Sequence, residues 1–143
     1  ASMTSRARAT GTRVIAVTGS VGKTTTKDAI YGVLQAHFGN RVSLSRSNLN
    51  NEFGVPLSLL GIDSSPSRWQ YPFALVKGVA AVLTATRPVE RPLRVQELGV
   101  EKPGDIAYLV EFLKPYLAVG VVTNVGPIHI NQGQFPSLDA IEE

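Results

Sequence analysis

The stretch Thr18-Gly19-Ser20-Val21-Gly22-Lys23-Thr24-Thr25 constrains this chain more than any other. It follows a short β-rich apolar run, Val14-Ile-Ala-Val-Thr18, and precedes a helix-compatible stretch over about 24–38. Strand, glycine-bearing turn, lysine and helix, in that order, are the setting a phosphate-binding loop requires. Glycines let the backbone curl so that successive N–H groups converge on phosphate oxygens. The helix that starts there adds the partial positive charge of its N-terminus. Lys23 can bridge outer phosphates, and Thr24 can place a hydroxyl on Mg²⁺. Gly19, Ser20, Val21, Gly22, Lys23, Thr24 and Thr25 are therefore the expected nucleotide-binding residues. There is one departure. The general pattern carries a glycine five residues before Gly22, where this chain has Val17, so the loop is a GxxGKT variant. The competing reading is an ordinary strand-to-helix turn with an exposed lysine, and the run Lys23-Thr-Thr-Thr26 weighs against it.

The rest of the chain alternates in the same way. Ile30, Val33, Leu34 and Phe38 lie at helical spacing, and Gly39-Asn40 supplies a stop. Val42–Leu44 reads as a second short strand, and 48–56 as a polar loop followed by a short apolar segment to Leu60. Residues 63–67 form a turn-rich linker, and 72–86 a helix weakened by Gly78. Leu93–Leu98 reads as a strand, 102–113 as a helix, and Leu117–Val122 as a β-branched strand covered on both faces. Strands alternating with helices indicate an α/β fold: P-loop NTPase-like, with a mostly parallel sheet flanked by helices.

Composition narrows the classes. At 143 residues one domain is expected. With 43% hydrophobic and 17% charged residues the chain is not of the disordered class. The absence of cysteine excludes a disulfide framework, a thiolate metal site and a cysteine nucleophile, and it suits a reducing, cytoplasmic setting. No apolar run approaches the ~18 residues of a membrane span. The net charge of +3 is uneven: residues 115–143 hold no Lys or Arg and three acids, while Arg6, Arg8 and Arg13 sit near the start. No aromatic residues interleave with those arginines, so nucleic acid is not an expected partner. Residues 1–12 read as a flexible arm, and Ala1-Ser2 ahead of Met3 resembles a cloning scar. Ser137 to Glu143 begins like a serine-capped helix without a stop signal, the pattern of a C-terminally truncated fragment.

The string Thr-Gly-Ser-Val-Gly-Lys-Thr-Thr-Thr-Lys-Asp28 resembles the nucleotide-binding motif of the Mur ligase family. These are ATP-dependent amide ligases of peptidoglycan precursor synthesis. Ser47-Asn-Leu-Asn-Asn-Glu-Phe-Gly-Val-Pro56 is similar to the family's asparagine-rich loop. Glu97-Leu-Gly with Pro103-Gly-Asp-Ile-Ala-Tyr108 is similar to its acidic strand end and next helix. Thr123-Asn-Val-Gly-Pro-Ile-His129 is similar to its histidine segment. The four stretches occur in the family's order. The resemblance implies that residues 13–143 are the N-terminal part of the central ATPase domain, with further domains of the same protein as partners. It also implies ATP and Mg²⁺ as cofactors, and UDP-muramoyl peptide as a substrate. D-alanyl-D-alanine is favoured as the incoming amine, joined through an acyl phosphate.

Glu97 falls at the C-terminal end of a predicted strand, the edge at which open parallel sheets bind ligands. The resemblance gives Glu97 and His129 magnesium positions beside Thr24, and makes Lys23, Glu97 and His129 the expected catalytic residues. His37, near a helix C-terminus, reads as an exposed dipole-stabilised side chain. Asn48, Asn50 and Asn51 can serve a site or simply make turns; Asn51 and Glu52 are the candidates for a substrate or ATP loop. Gln96 interrupts a strand where the family usually carries an apolar residue. It calls for either a wetter strand face or a buried polar partner. The family's carbamylated lysine would fall beyond Ile141. An alternative class stays open: a nucleotide-binding module or degenerate homologue without ligation chemistry. A kinase or GTPase is disfavoured because no Asn/Thr-Lys-x-Asp base-reading motif is present.

Overall fold

The computed structural model describes residues 12–45, 49–52, 54–59 and 92–127, with isolated positions at 73, 76, 130, 135–137 and 139. Strand β1 (Arg13–Thr18) leads into helix α1 (Lys23–Phe38). A 3₁₀ turn at Gly39–Arg41 reverses the chain into β2 (Val42–Leu44). Helix α2 (Gly54–Leu59), strand β3 (Leu93–Glu97), helix α3 (Asp105–Leu113) and strand β4 (Leu117–Val122) follow.

The four strands form one parallel sheet in the order β2-β3-β1-β4. Val17 pairs with Glu97 on one side and Val121 on the other. The chain leaves β1 toward β2 and β3, then comes back to add β4 on the opposite flank. The carboxyl end of β1 is therefore the point at which the strand order reverses, where ligands of open α/β sheets bind.

Period-2 alternation along β1 supplies both faces of the core. Val14 and Ala16 pack with Val55, Leu98, Leu109 and Leu113 toward α2 and α3. Val17 packs with Val42 and Val95 beneath Ile30, Tyr31 and Leu34 of α1. Each such valine or leucine contributes about 1.5–3 kcal/mol by leaving water. Val17 is fully buried, which accounts for a valine where the general loop pattern has glycine: the position is still strand and still core.

Several expectations are met to within a few residues: both β1 and β2, helices α1 and α3, and strand β3. Two are corrected. The loop expected to run to Pro56 ends earlier, because Asn51 opens helix α2: its Oδ1 accepts the Gly54 N–H (2.8 Å) and its carbonyl accepts the Val55 N–H (3.0 Å). Pro56 is compatible with that first turn, where no intrahelical N–H is needed. Strand β4 is not covered on both faces. Val119 is 49% and Val122 62% exposed, and among the described residues β4 has β1 as its one strand neighbour. The expected arm, most of the linker and helix over 63–86, His129 and most of the segment after Ser137 lie outside the described residues. Phe73 and Val76 are both helical.

Candidate functional site

The turn between β1 and α1 takes its shape from two glycines in the left-handed region, Gly19 (φ 128°) and Gly22 (φ 83°). At Gly19 a Cβ would collide with Thr123 Oγ1 and stand 2.8 Å from the Asn124 carbonyl oxygen. Gly22 is the N-cap of α1 and supplies no side chain to cap it. The first intrahelical bond is Thr26 N–H to the Gly22 carbonyl (2.9 Å). The amides of Lys23, Thr24 and Thr25 thus have no acceptor within the helix. Three uncapped donors and the helix dipole point past Gly22 together.

The segment after β4 braces this turn. Ser20 N–H donates to the Asn124 carbonyl (2.9 Å), and Val21 N–H to Asn124 Oδ1 (2.8 Å). The Thr123 hydroxyl donates to the Val21 carbonyl (2.7 Å). Gly126 N–H donates to Ser20 Oγ (2.9 Å). Lys23 folds back across the turn, its Nζ donating to the carbonyls of Gly19 (2.7 Å) and Ser20 (3.3 Å).

Glu97 is the last residue of β3 and is nearly buried. Its Oε2 accepts the Thr24 hydroxyl (3.1 Å), and its Oε1 accepts an Asn50 amide hydrogen (3.4 Å). Its backbone N–H donates to Ser45 Oγ (3.0 Å), tying the end of β3 to the end of β2. Of the sequence-predicted residues, Lys23, Thr24 and the glycine turn therefore meet Glu97 at one sheet edge. Asn50 reaches Glu97, whereas Asn51 caps α2. Glu52 is exposed and pairs with Lys102 (3.6 Å). A cavity of about 120 Å³ lies apart from the turn residues, walled by Asn51, Glu52, Gly99, Lys102, Asp105 and Tyr108 among others.

Gln96 has the buried polar partners that its position demands. Its amide nitrogen donates to the carbonyls of Leu49 and Glu97 (both 2.9 Å). Its Oε1 accepts the Ser58 hydroxyl (2.6 Å) and Arg94 Nε (3.3 Å). All four hydrogen-bonding valences of the amide are used. Sequence reading missed Asn124, Ser58 and Lys27 as parts of this assembly. Only Lys27 carried a signal: it lies three residues after Thr24, hence on the same helix face.

A parallel α/β sheet with a glycine-lysine turn at its reversal point and a carboxylate closing on the following helix defines a P-loop-type fold. Residues 17–68 match the Mur ligase middle domain. The chain is 41% identical over 117 residues to the UDP-N-acetylmuramoyl-tripeptide–D-alanyl-D-alanine ligase of Synechocystis sp., covering 82% of this chain and 19% of that protein. It is 35% identical over 120 residues to the ligase of the same name from Bacillus subtilis, covering 84% and 20%. The corresponding ligase of Mycobacterium leprae is 35% identical over 131 residues, covering 92% and 19%. The chain belongs to the Mur ligase family. It spans about a fifth of the length of these curated relatives. Among the described residues, no helix is long and apolar enough to cross a membrane.

Proposed function

We propose that residues 13–143 form the N-terminal part of the middle domain of an ATP-dependent amide ligase, and that the β1–α1 turn holds the ATP phosphates. The observation that carries this reading is the convergence of the uncapped amides of Lys23, Thr24 and Thr25 with the Thr24–Glu97 pair. Hard oxygen donors suit Mg²⁺, which takes one or two carboxylates and completes its shell with water and phosphate. Thr24 and Glu97 would hold Mg²⁺, with His129 as a further ligand. The ion supplies charge neutralisation on the transferring phosphoryl group.

The chain's own residues do the rest. The turn amides and Lys23 orient the phosphates and offset charge as it develops. For Lys23 this means exchanging the carbonyls of Gly19 and Ser20 for phosphate oxygens. In the whole protein a substrate carboxylate oxygen would attack the terminal phosphorus of ATP, giving an acyl phosphate as ADP leaves. An amine would then attack the acyl carbon, expelling inorganic phosphate and giving up a proton as the amide forms. The names of the relatives favour UDP-muramoyl tripeptide as the carboxylate and D-alanyl-D-alanine as the amine. A cytoplasmic setting follows from such soluble, nucleotide-linked substrates.

Calorimetry of the chain with Mg-ATP tests the binding half. Saturable uptake that Lys23→Ala abolishes is expected; no uptake by the unaltered chain overturns it. Phosphate release by a protein of the relatives' full length tests the chemistry. Release should require both the UDP-muramoyl tripeptide and D-alanyl-D-alanine, and release independent of them marks a nucleotide-binding module instead.

A further inference from the structure

Lys27 is the one buried residue among the 16 of helix α1, while Ile30 and Leu34 of the same helix are only partly buried. A helix that buries a lysine ahead of its apolar side chains needs a physical reason, because an ammonium leaves water only when paired and hydrogen-bonded. Its Nζ lies 3.5 Å from Glu97 Oε2 and donates to the Ser45 carbonyl (3.3 Å). Asp28 Oδ1 is 3.8 Å away on a side chain that is 57% exposed. The Glu97 side chain is 4% exposed. Lys27 therefore reaches, one helical turn deeper, the same carboxylate oxygen that accepts the Thr24 hydroxyl.

We infer that Lys27 is a positioning residue for Glu97. It is a built-in counter-cation that holds the carboxylate toward Thr24 when no divalent ion is present and shares that carboxylate with the ion when one binds. The sharing rests on the metal site proposed above; the counter-charge does not. Removing one partner of a buried ion pair leaves an uncompensated charge, and that loss is recovered when the second charge is removed as well. Methionine at position 27 keeps the aliphatic stem that packs beneath the helix and deletes only the charged end.

Thermal melts of the chain decide it, for the unaltered protein and for Lys27→Met, Lys27→Arg, Glu97→Gln and the Lys27→Met/Glu97→Gln double variant, each in EDTA and in millimolar Mg²⁺. In EDTA, Lys27→Met is expected to melt about 10 °C lower. Mg²⁺ should restore several degrees to Lys27→Met, more than it adds to the unaltered chain. The double variant should regain most of the loss and ignore Mg²⁺, and Lys27→Arg should stay near the unaltered chain. Such non-additive recovery is not produced by packing alone. Lys27→Met melting like the unaltered chain, or destabilised without relief from Glu97→Gln, overturns the counter-charge; a Lys27→Met variant that Mg²⁺ leaves unmoved overturns the sharing. Should Lys27→Met fail to fold, the double variant decides: its folding upholds the inference and its failure overturns it. The EDTA arm needs no nucleotide, so it stands or falls separately from Mg-ATP uptake by the unaltered chain.

Discussion

Thr24 at the start of α1 and Glu97 at the end of β3 are joined directly, the hydroxyl donating to Oε2 at 3.1 Å across 73 residues of sequence. The contact fixes where the helix begins relative to the strand end, and so where the uncapped amides point.

Thr24→Val keeps the shape of the side chain and removes the donor. Thr24 is exposed, so water replaces it at the surface and the stability cost should stay at about 0.5–1.5 kcal/mol. The affinity for Mg-ATP should fall at least about tenfold, roughly 1.4 kcal/mol. Titration calorimetry at several Mg²⁺ concentrations checks both the drop and its dependence on the ion.

The two left-handed glycines of the turn should differ in tolerance. Gly22 has φ 83° but nothing within 4 Å of a Cβ, so Gly22→Ala should cost about 1–2 kcal/mol of backbone strain. Gly19→Ala adds a collision with Thr123 and Asn124 to the same kind of strain, and should cost about 3 kcal/mol or more. Urea denaturation of the two variants, compared side by side, measures the difference.

Gln96→Leu is close in size but takes the amide donor from the Leu49 carbonyl and leaves the Ser58 hydroxyl only the Val55 carbonyl as acceptor. A loss of about 1–3 kcal/mol is expected. Ser58→Ala should cost less on top of Gln96→Leu than alone, since the shorter of its two hydrogen bonds is then already gone. Chemical denaturation of both single variants and the double variant tests this coupling, and strictly additive losses would remove Ser58 from the Gln96 network.

Asn124→Ala frees the Val21 amide from its side-chain acceptor while leaving the Ser20 amide on the main-chain carbonyl. Val21 is exposed, so global stability should change by no more than about 1 kcal/mol. Amide hydrogen exchange at Val21 should quicken at least about tenfold while that at Ser20 stays slower. Residue-resolved exchange by NMR reads the two positions separately.

Much of this arrangement was legible in the order of residues. A β-rich run, a glycine-lysine turn and a 3.6-residue period place β1, the turn and α1 with little ambiguity, because local sterics and burial agree there. Glu97 was placed at the strand end for the same reason. The polar core residues were not legible. Gln96 called for a wetter face or a buried polar partner without showing which, Lys27 looks like a surface residue by composition, and only the fold brings Ser58 and Leu49 within reach of the one and Glu97 within reach of the other. Asn51 illustrates the limit from the other side: an asparagine can serve a site or make a turn, and the sequence does not show that its side chain accepts the Gly54 amide at the start of α2. The cover predicted for β4 came from its β-branched run alone, which reports strand propensity but not which elements lie above and below.

The close fit around Gly19 has a consequence for how this sequence can diverge. Trimming Thr123 to alanine would clear the nearest obstacle to a side chain there, yet the Asn124 carbonyl would remain at 2.8 Å. That oxygen belongs to the main chain and is the same whatever residue stands at 124. Trimming a neighbouring side chain therefore does not by itself make room for a residue at 19, and drift there needs a shift of the main chain that its neighbours do not require.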